Sequence, residues 1–216
     1  MKTYMKKLHN RHIYLDIENS EISKLEKQNF DKLIDHYNKP LQVGVYSDNC
    51  ELIDLLTKSG FSLKRKCYDL EVSKYDLKSP LENDIVDLFE TRNGQLEYEY
   101  CCKMLYDYYA KTHYDVNPLT ANLDDFIDMI PQTVIYTKSK DHIDYCAFVE
   151  ENEIAYLASF RDGNSKSFLN SLLSHMFSKY KYIFFEADDT DWLATQLIKM
   201  FKIDNPITFD SYIRDK

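Results

Sequence analysis

The sequence predicts an α/β protein built on a mixed sheet, with two units related by an internal repeat. Three observations predict it. Residues 12–72 alternate strand and helix patterns in the order strand, helix, strand, helix, strand. Much of that order returns in the second half at a constant offset of 142 residues, so that Tyr14 and Leu15 meet Tyr156 and Leu157, and Leu55 meets Leu197. Between the copies lie helix and strand patterns that the first copy lacks.

Each element has a local reason. His12-Ile-Tyr-Leu opens a short strand over residues 12–17. Over 20–37, Ile22, Leu25, Leu33, Ile34 and Tyr37 recur at helical spacing behind Ser20 as an N-cap. Residues 41–46 read as a strand, and 50–58 as a helix closed by Gly60. An extended run follows over 61–72. Ser79-Pro80 breaks the pattern and separates a truncated unit, residues 1–75, from a complete one, residues 81–216. The second unit reads as helices near 81–89, 96–114 and 123–130, then strands over 133–137 and 143–149. A strand from Ile154, a helix over 162–179, a strand over 183–188, a helix after Asp191 and an extended tail complete it.

Composition narrows the function classes. With 44% hydrophobic and 29% charged residues, the chain has the profile of a globular protein rather than a disordered one. A net charge of −9 opposes a nucleic-acid backbone, because that affinity comes from clustered Lys and Arg. The basic stretches at Lys2 to Lys7 and Lys64-Arg65-Lys66 have acidic residues within a few positions and read as solvated edges. Cys50, Cys67, Cys101, Cys102 and Cys146 form no CxxC pair and read as small buried hydrophobes in a reducing compartment. No apolar run follows the basic start and none reaches the length of a membrane span, so the expectation is a cytoplasmic protein with no membrane and no nucleic-acid partner.

Phe184-Phe-Glu-Ala-Asp-Asp-Thr-Asp-Trp-Leu-Ala at a strand-to-helix junction, within the element order of residues 81–216, resembles the GNAT family of acetyl-CoA-dependent N-acyltransferases. The first unit is similar to the C-terminal half of the same fold, with Asn49 and Gly60-Phe61 in place of the family's Asn-to-Gly-Phe segment. The resemblance implies a cofactor held where two neighbouring strands splay apart, its pyrophosphate on a loop at a helix N-terminus, where backbone N–H groups and the helix dipole favour an anion. The equivalent residues here are Ser159, Phe160, Arg161, Gly163, Asn164, Ser165, Lys166 and Ser167. The family's Arg or Gln, two residues, Gly, one residue, Gly or Ala is matched neither from Arg161 nor from Asn164. An ordinary polar loop capped by Asp162 or Ser165 is the other reading of this segment. In the first unit, Glu18-Asn19-Ser20-Glu21 is acidic and unsuited to pyrophosphate, which leaves the cofactor to the second unit.

The resemblance also implies a tyrosine acid on the last helix. That place is Ile198, and Leu56 in the first unit, so the usual proton donor is missing. Glu186, on the preceding strand, is the expected catalytic base toward an amine, with structural use as the alternative. Asp188, Asp189 and Asp191 read as helix capping rather than a metal site. Tyrosines 98, 100, 106, 108, 109 and 114 crowd the region where the family holds its acceptor; they suit either a cationic amine or helix packing, and His113 and Asp115 adjoin them. The implied function is acetyl transfer from acetyl-CoA to a primary amine on a small molecule or peptide. The alternative is a catalytically silent GNAT-like module that binds CoA or acts through protein contacts.

Overall fold

The computed structural model describes residues 1–81, 85–140, 142–160 and 165–216. In chain order the elements are β1 (Lys2–Tyr4), β2 (Ile13–Asp16), α1 (Lys27–Tyr37), β3 (Leu41–Tyr46), α2 (Cys50–Lys58) and β4 (Ser62–Ser73). There follow β5 (Phe89–Arg92), α3 (Leu96–Thr112), α4 (Leu123–Ile127), β6 (Thr133–Ser139), β7 (His142–Glu150) and β8 (Glu153–Ser159). The chain closes with α5 (Lys166–Lys179), β9 (Tyr182–Asp188), α6 (Trp192–Ile198) and β10 (Thr208–Arg214). Two compact units result. The first takes Met1–Tyr68, His113–Ala121 and Pro206–Lys216, and the second takes Asp69–Thr112 and Asn122–Asn205.

In the first unit the strand order is β1-β2-β3-β10-β4. Strands β2 and β3 are parallel, joined through α1, while β10 runs antiparallel to both β3 and β4. Alternation explains the core: Leu41, Val43 and Val45 point one way and bury against Phe30, Leu52, Leu56 and Phe61. Asn49 caps α2 by accepting from the Leu52 amide at 3.2 Å, and Gly60, at φ +89°, turns the chain out of it.

The long helix expected over 20–37 is two pieces, a 3-10 helix at Asn19–Lys24 and then α1. Leu25 and Glu26 are extended between them, and Asn29 Oδ1 accepts from the Glu26 amide at 2.8 Å. That local cap starts a new helix inside an unbroken apolar periodicity.

His9 in this unit is 7% exposed, and burial lowers its pKa from 6.5 to about 4. The unfolded histidine therefore takes up a proton between pH 6.5 and 4 while the folded one does not, so stability is full above pH 6.5 and is lost as pH falls toward 4. The loss attributable to His9 should reach about 2 kcal/mol. Urea denaturation at pH 7.5 and pH 4.5 measures it, and His9→Asn should shrink the difference between the two pH values by about that amount.

The second unit has the strand order β9-β8-β7-β6-β5. Its β5 through β8 form an antiparallel meander, and β8 and β9 are parallel, joined through α5. On the sheet, α3 buries Tyr98, Cys101, Cys102, Met104, Leu105 and Tyr108, while α5 buries Phe168, Leu169, Leu172, Leu173, Met176 and Phe177.

The helix expected near 81–89 does not form over its described part. Residues 85–88 are irregular, Phe89 begins β5 opposite Tyr136, and the Val86 amide donates to Ser171 Oγ at 2.9 Å. Residues 82–84 lie outside the described residues. Cys67, Cys101, Cys102 and Cys146 are buried and in no disulfide, while Cys50 is exposed. Among the described residues no helix is long and apolar enough to cross a membrane.

The offset of 142 residues is not carried into strand pairing. Ile13 sits opposite Leu41, and their counterparts at that offset are Ala155 and Ile183, yet the observed neighbours are Ile154 and Phe185. The two parallel pairs differ in register.

Candidate functional site

The local feature that shapes the second unit is an extra residue in β8. On β7, Phe148 faces Tyr156 and Val149 faces Ile154, which leaves Ala155 without an opposite number. Such a bulge bends its strand and raises its twist. On the other side of β8, pairing with β9 is confined to Glu153 with Phe184 and Ile154 with Phe185. Past the bulge the two strands part, and their facing edges open toward the C-terminal ends, the end of an open parallel pair where ligands bind in α/β sheets.

The bulge also changes which side chains share a face. Tyr156 turns to the side of Glu153 and Glu186: burial first, then the carboxylates of Glu186 and Glu153, raise its phenol pKa above 10. Its ring stands T-shaped to Tyr109 of α3 at 6.2 Å, and Tyr109 in turn packs on Phe126 at 5.5 Å. Glu186 is exposed on β9 beside Phe184, which is 39% exposed. The wall of the opening is thus aromatic and acidic, with a protonated phenol next to a carboxylate. Tyr156 as a chemical group was not legible in the sequence, because the inserted residue that turns it is a property of pairing.

At the mouth of the opening, Ser159 ends β8 with its hydroxyl donating to the Asp144 carbonyl at 2.8 Å, and Phe160 is exposed. Arg161, Gly163 and Asn164 lie outside the described residues. Ser165 precedes α5 but does not cap it. Its buried hydroxyl donates to Gln196 Oε1 of α6 at 2.5 Å. Lys166 is exposed in the first turn of α5 and Ser167 is half-buried. The first turn of this 14-residue helix therefore offers amides, a cation and the positive end of a dipole with no acidic side chain among them, which fits a phosphate group.

The tyrosines of the acceptor region separate into different roles. Tyr98 is buried with its hydroxyl donating to the Pro131 carbonyl at 3.1 Å. Tyr108 is buried too; its hydroxyl donates to Asp191 Oδ1 and accepts from the Leu193 amide at 3.1 Å. Asp191 also accepts from the Ala194 amide at 3.0 Å, so it caps α6. Tyr106 packs on Phe126, and Tyr100 and Tyr114 are exposed. Among them Tyr109 is a ring that meets Tyr156. His113, buried, and Asp115, exposed, fall in the first unit. Ile198 is half-buried on α6 and Leu56 fully buried on α2, so both helices are apolar at the place of the missing tyrosine.

No protein-family model matches the sequence, and a search of curated proteins returns no significant match. Solved structures do match. A GCN5-related N-acetyltransferase from Sphaerobacter thermophilus is similar over 94% of this chain and 72% of its own, with a TM-score of 0.61 at 9% identity. A probable N-acyltransferase from Enterococcus faecalis V583 gives a TM-score of 0.57 at 8% identity over 99% of this chain, which spans 57% of that protein's chain. A GNAT-family acetyltransferase from Colwellia psychrerythraea gives 0.52 at 11% identity, covering 99% of this chain and 80% of that one. With its meander, its bulged and splayed parallel pair, and its helix springing from the splay, the chain has the fold of the GNAT N-acetyltransferases.

Proposed function

We propose that the protein is an N-acyltransferase that moves an acetyl group from acetyl-CoA to a primary amine of a small molecule or peptide. The observation that carries this reading is the opening between β8 and β9 past Ala155, with Glu186 and Tyr156 on its wall. The bound thioester supplies an activated acetyl group. Ser159, Phe160, Arg161, Gly163, Asn164, Ser165, Lys166 and Ser167 hold it, with Lys166 and the first turn of α5 toward the pyrophosphate. Glu186 takes a proton from the incoming ammonium group, which frees the nitrogen lone pair. The raised pKa of Tyr156 keeps its phenol protonated at neutral pH, and this phenol or solvent returns a proton to the departing sulfur. Phe184, Tyr156 and Tyr109 give the amine an aromatic wall, and Glu186 and Glu153 give it negative charge. Holding amine and thioester together contributes independently of any proton donor.

Ile198, apolar where the family's tyrosine stands, favours a second reading: a silent module that binds CoA and acts through protein contacts. Calorimetric titration with acetyl-CoA followed by an amine panel separates the two, because the silent module gives heat and no product. In the same titration, Arg161→Glu with Lys166→Glu should weaken acetyl-CoA binding by about tenfold or more per lost charged contact. An unchanged affinity would move the pyrophosphate away from these two residues.

A further inference from the structure

The first unit contains a recess of about 380 Å³ whose floor includes His12, with Arg11, Lys39 and Asp115 around it. All of its described lining residues belong to the first unit. His12 is 8% exposed, and its Nδ1 lies 2.9 Å from Gln42 Oε1. An amide oxygen only accepts, so Nδ1 carries a proton, and in the neutral ring Nε2 then presents the lone pair. Gln42 is itself buried, which holds the ring in that tautomer. Among the described residues Nε2 accepts no hydrogen bond, so its lone pair is left for a donor that enters the recess.

The rim has the opposite requirement. Lys39 is fixed in place by donating to the Asn10 carbonyl at 2.7 Å, and Arg11 is exposed with no ion pair among the described residues. Asp115 is the one carboxylate side chain among the described lining residues. A complementary ligand carries an oxyanion for Arg11 and Lys39 and a hydroxyl that donates to His12 Nε2. The volume falls within the range of small-molecule pockets.

We propose that this recess binds a small hydroxylated anion, a polyol phosphate or a hydroxy acid, with Arg11 and Lys39 on the anion and His12 Nε2 on the hydroxyl. Matched probes test it by calorimetry: glycerol 3-phosphate against methyl phosphate, and lactate against propionate, the two pairs distinguishing phosphate from carboxylate. In the pair whose anion fits, the hydroxylated member should bind about threefold to tenfold tighter. His12→Phe should erase that preference, Arg11→Glu should weaken both members by about tenfold or more, and Lys166→Glu should leave them unchanged. Equal affinity within both pairs, no binding of any probe, a preference that survives His12→Phe, or loss of binding in Lys166→Glu overturns the proposal. Should His12→Phe fail to fold, the carbon-bound imidazole protons of His12 in the wild type answer the same question by NMR. They shift on titration with the hydroxylated probe if the site is real, and an unmoved signal at saturation overturns it.

Discussion

Glu186→Gln should lower the rate of amine acetylation about a hundredfold, the lower end of what a positioned base contributes. Glutamine keeps the size and hydrogen-bonding reach of the side chain and removes the ability to take a proton. The expected signature is a fall in kcat with acetyl-CoA affinity held, since Glu186 stands on β9 and not at the start of α5. Raising the pH should recover part of the lost rate, because an amine that has already shed its proton needs no base. A Glu186→Gln enzyme within threefold of wild type at neutral pH would remove Glu186 from the chemistry and leave positioning alone. Initial rates of free-thiol release across pH 6.5 to 9.5 decide it.

Phe30→Ala should destabilise the protein by about 3 to 5 kcal/mol. Phe30 has no exposed surface and meets Phe61 edge-on at 5.1 Å, in the cluster that joins β2, β3, α1 and α2. Truncation to alanine removes the whole ring from a cluster that includes Leu41, Val43, Leu52 and Leu56, on strands and helices that cannot close over the gap without moving one another. Chemical denaturation read by far-ultraviolet circular dichroism measures the loss. A change below about 1 kcal/mol would mean that the cluster collapses around the cavity.

Local chemistry makes much of this fold legible. Alternation in Leu41, Val43 and Val45, and Asn49 and Gly60 at the two ends of an apolar helix, place β3 and α2 with the bounds the structure has. The break at Leu25 and Glu26 is hidden because Ile22, Leu25, Leu33 and Ile34 keep a helical period across it, while the cap that interrupts it depends on Asn29 folding back. Near Pro80 the spacing of Leu81, Ile85, Val86 and Phe89 suits a helix equally well, and pairing of Phe89 with Tyr136 selects the strand from 47 residues away. The site divides in the same way. Glu186 is visible as an acid on an apolar strand, and Ser165 to Ser167 as a polar helix start. The inserted Ala155, which parts the strands and turns Tyr156 toward Glu186, is written in the register between β7 and β8 and in no single segment.

Strand β10 sits between β3 and β4, so the first unit's sheet is closed by residues made long after its neighbours; the Thr208 amide donates to Ser47, 161 residues earlier. A ribosome that has released β3, α2 and β4 has made a sheet with an interior strand absent, and the whole of the second unit must emerge before that vacancy fills. Until then the edges of β3 and β4 are open to pairing with any extended segment nearby, including those of other nascent chains. Loop closure over that separation also places this pairing among the slow steps of folding. The late arrival of β10 thus acts as a checkpoint on strands made early.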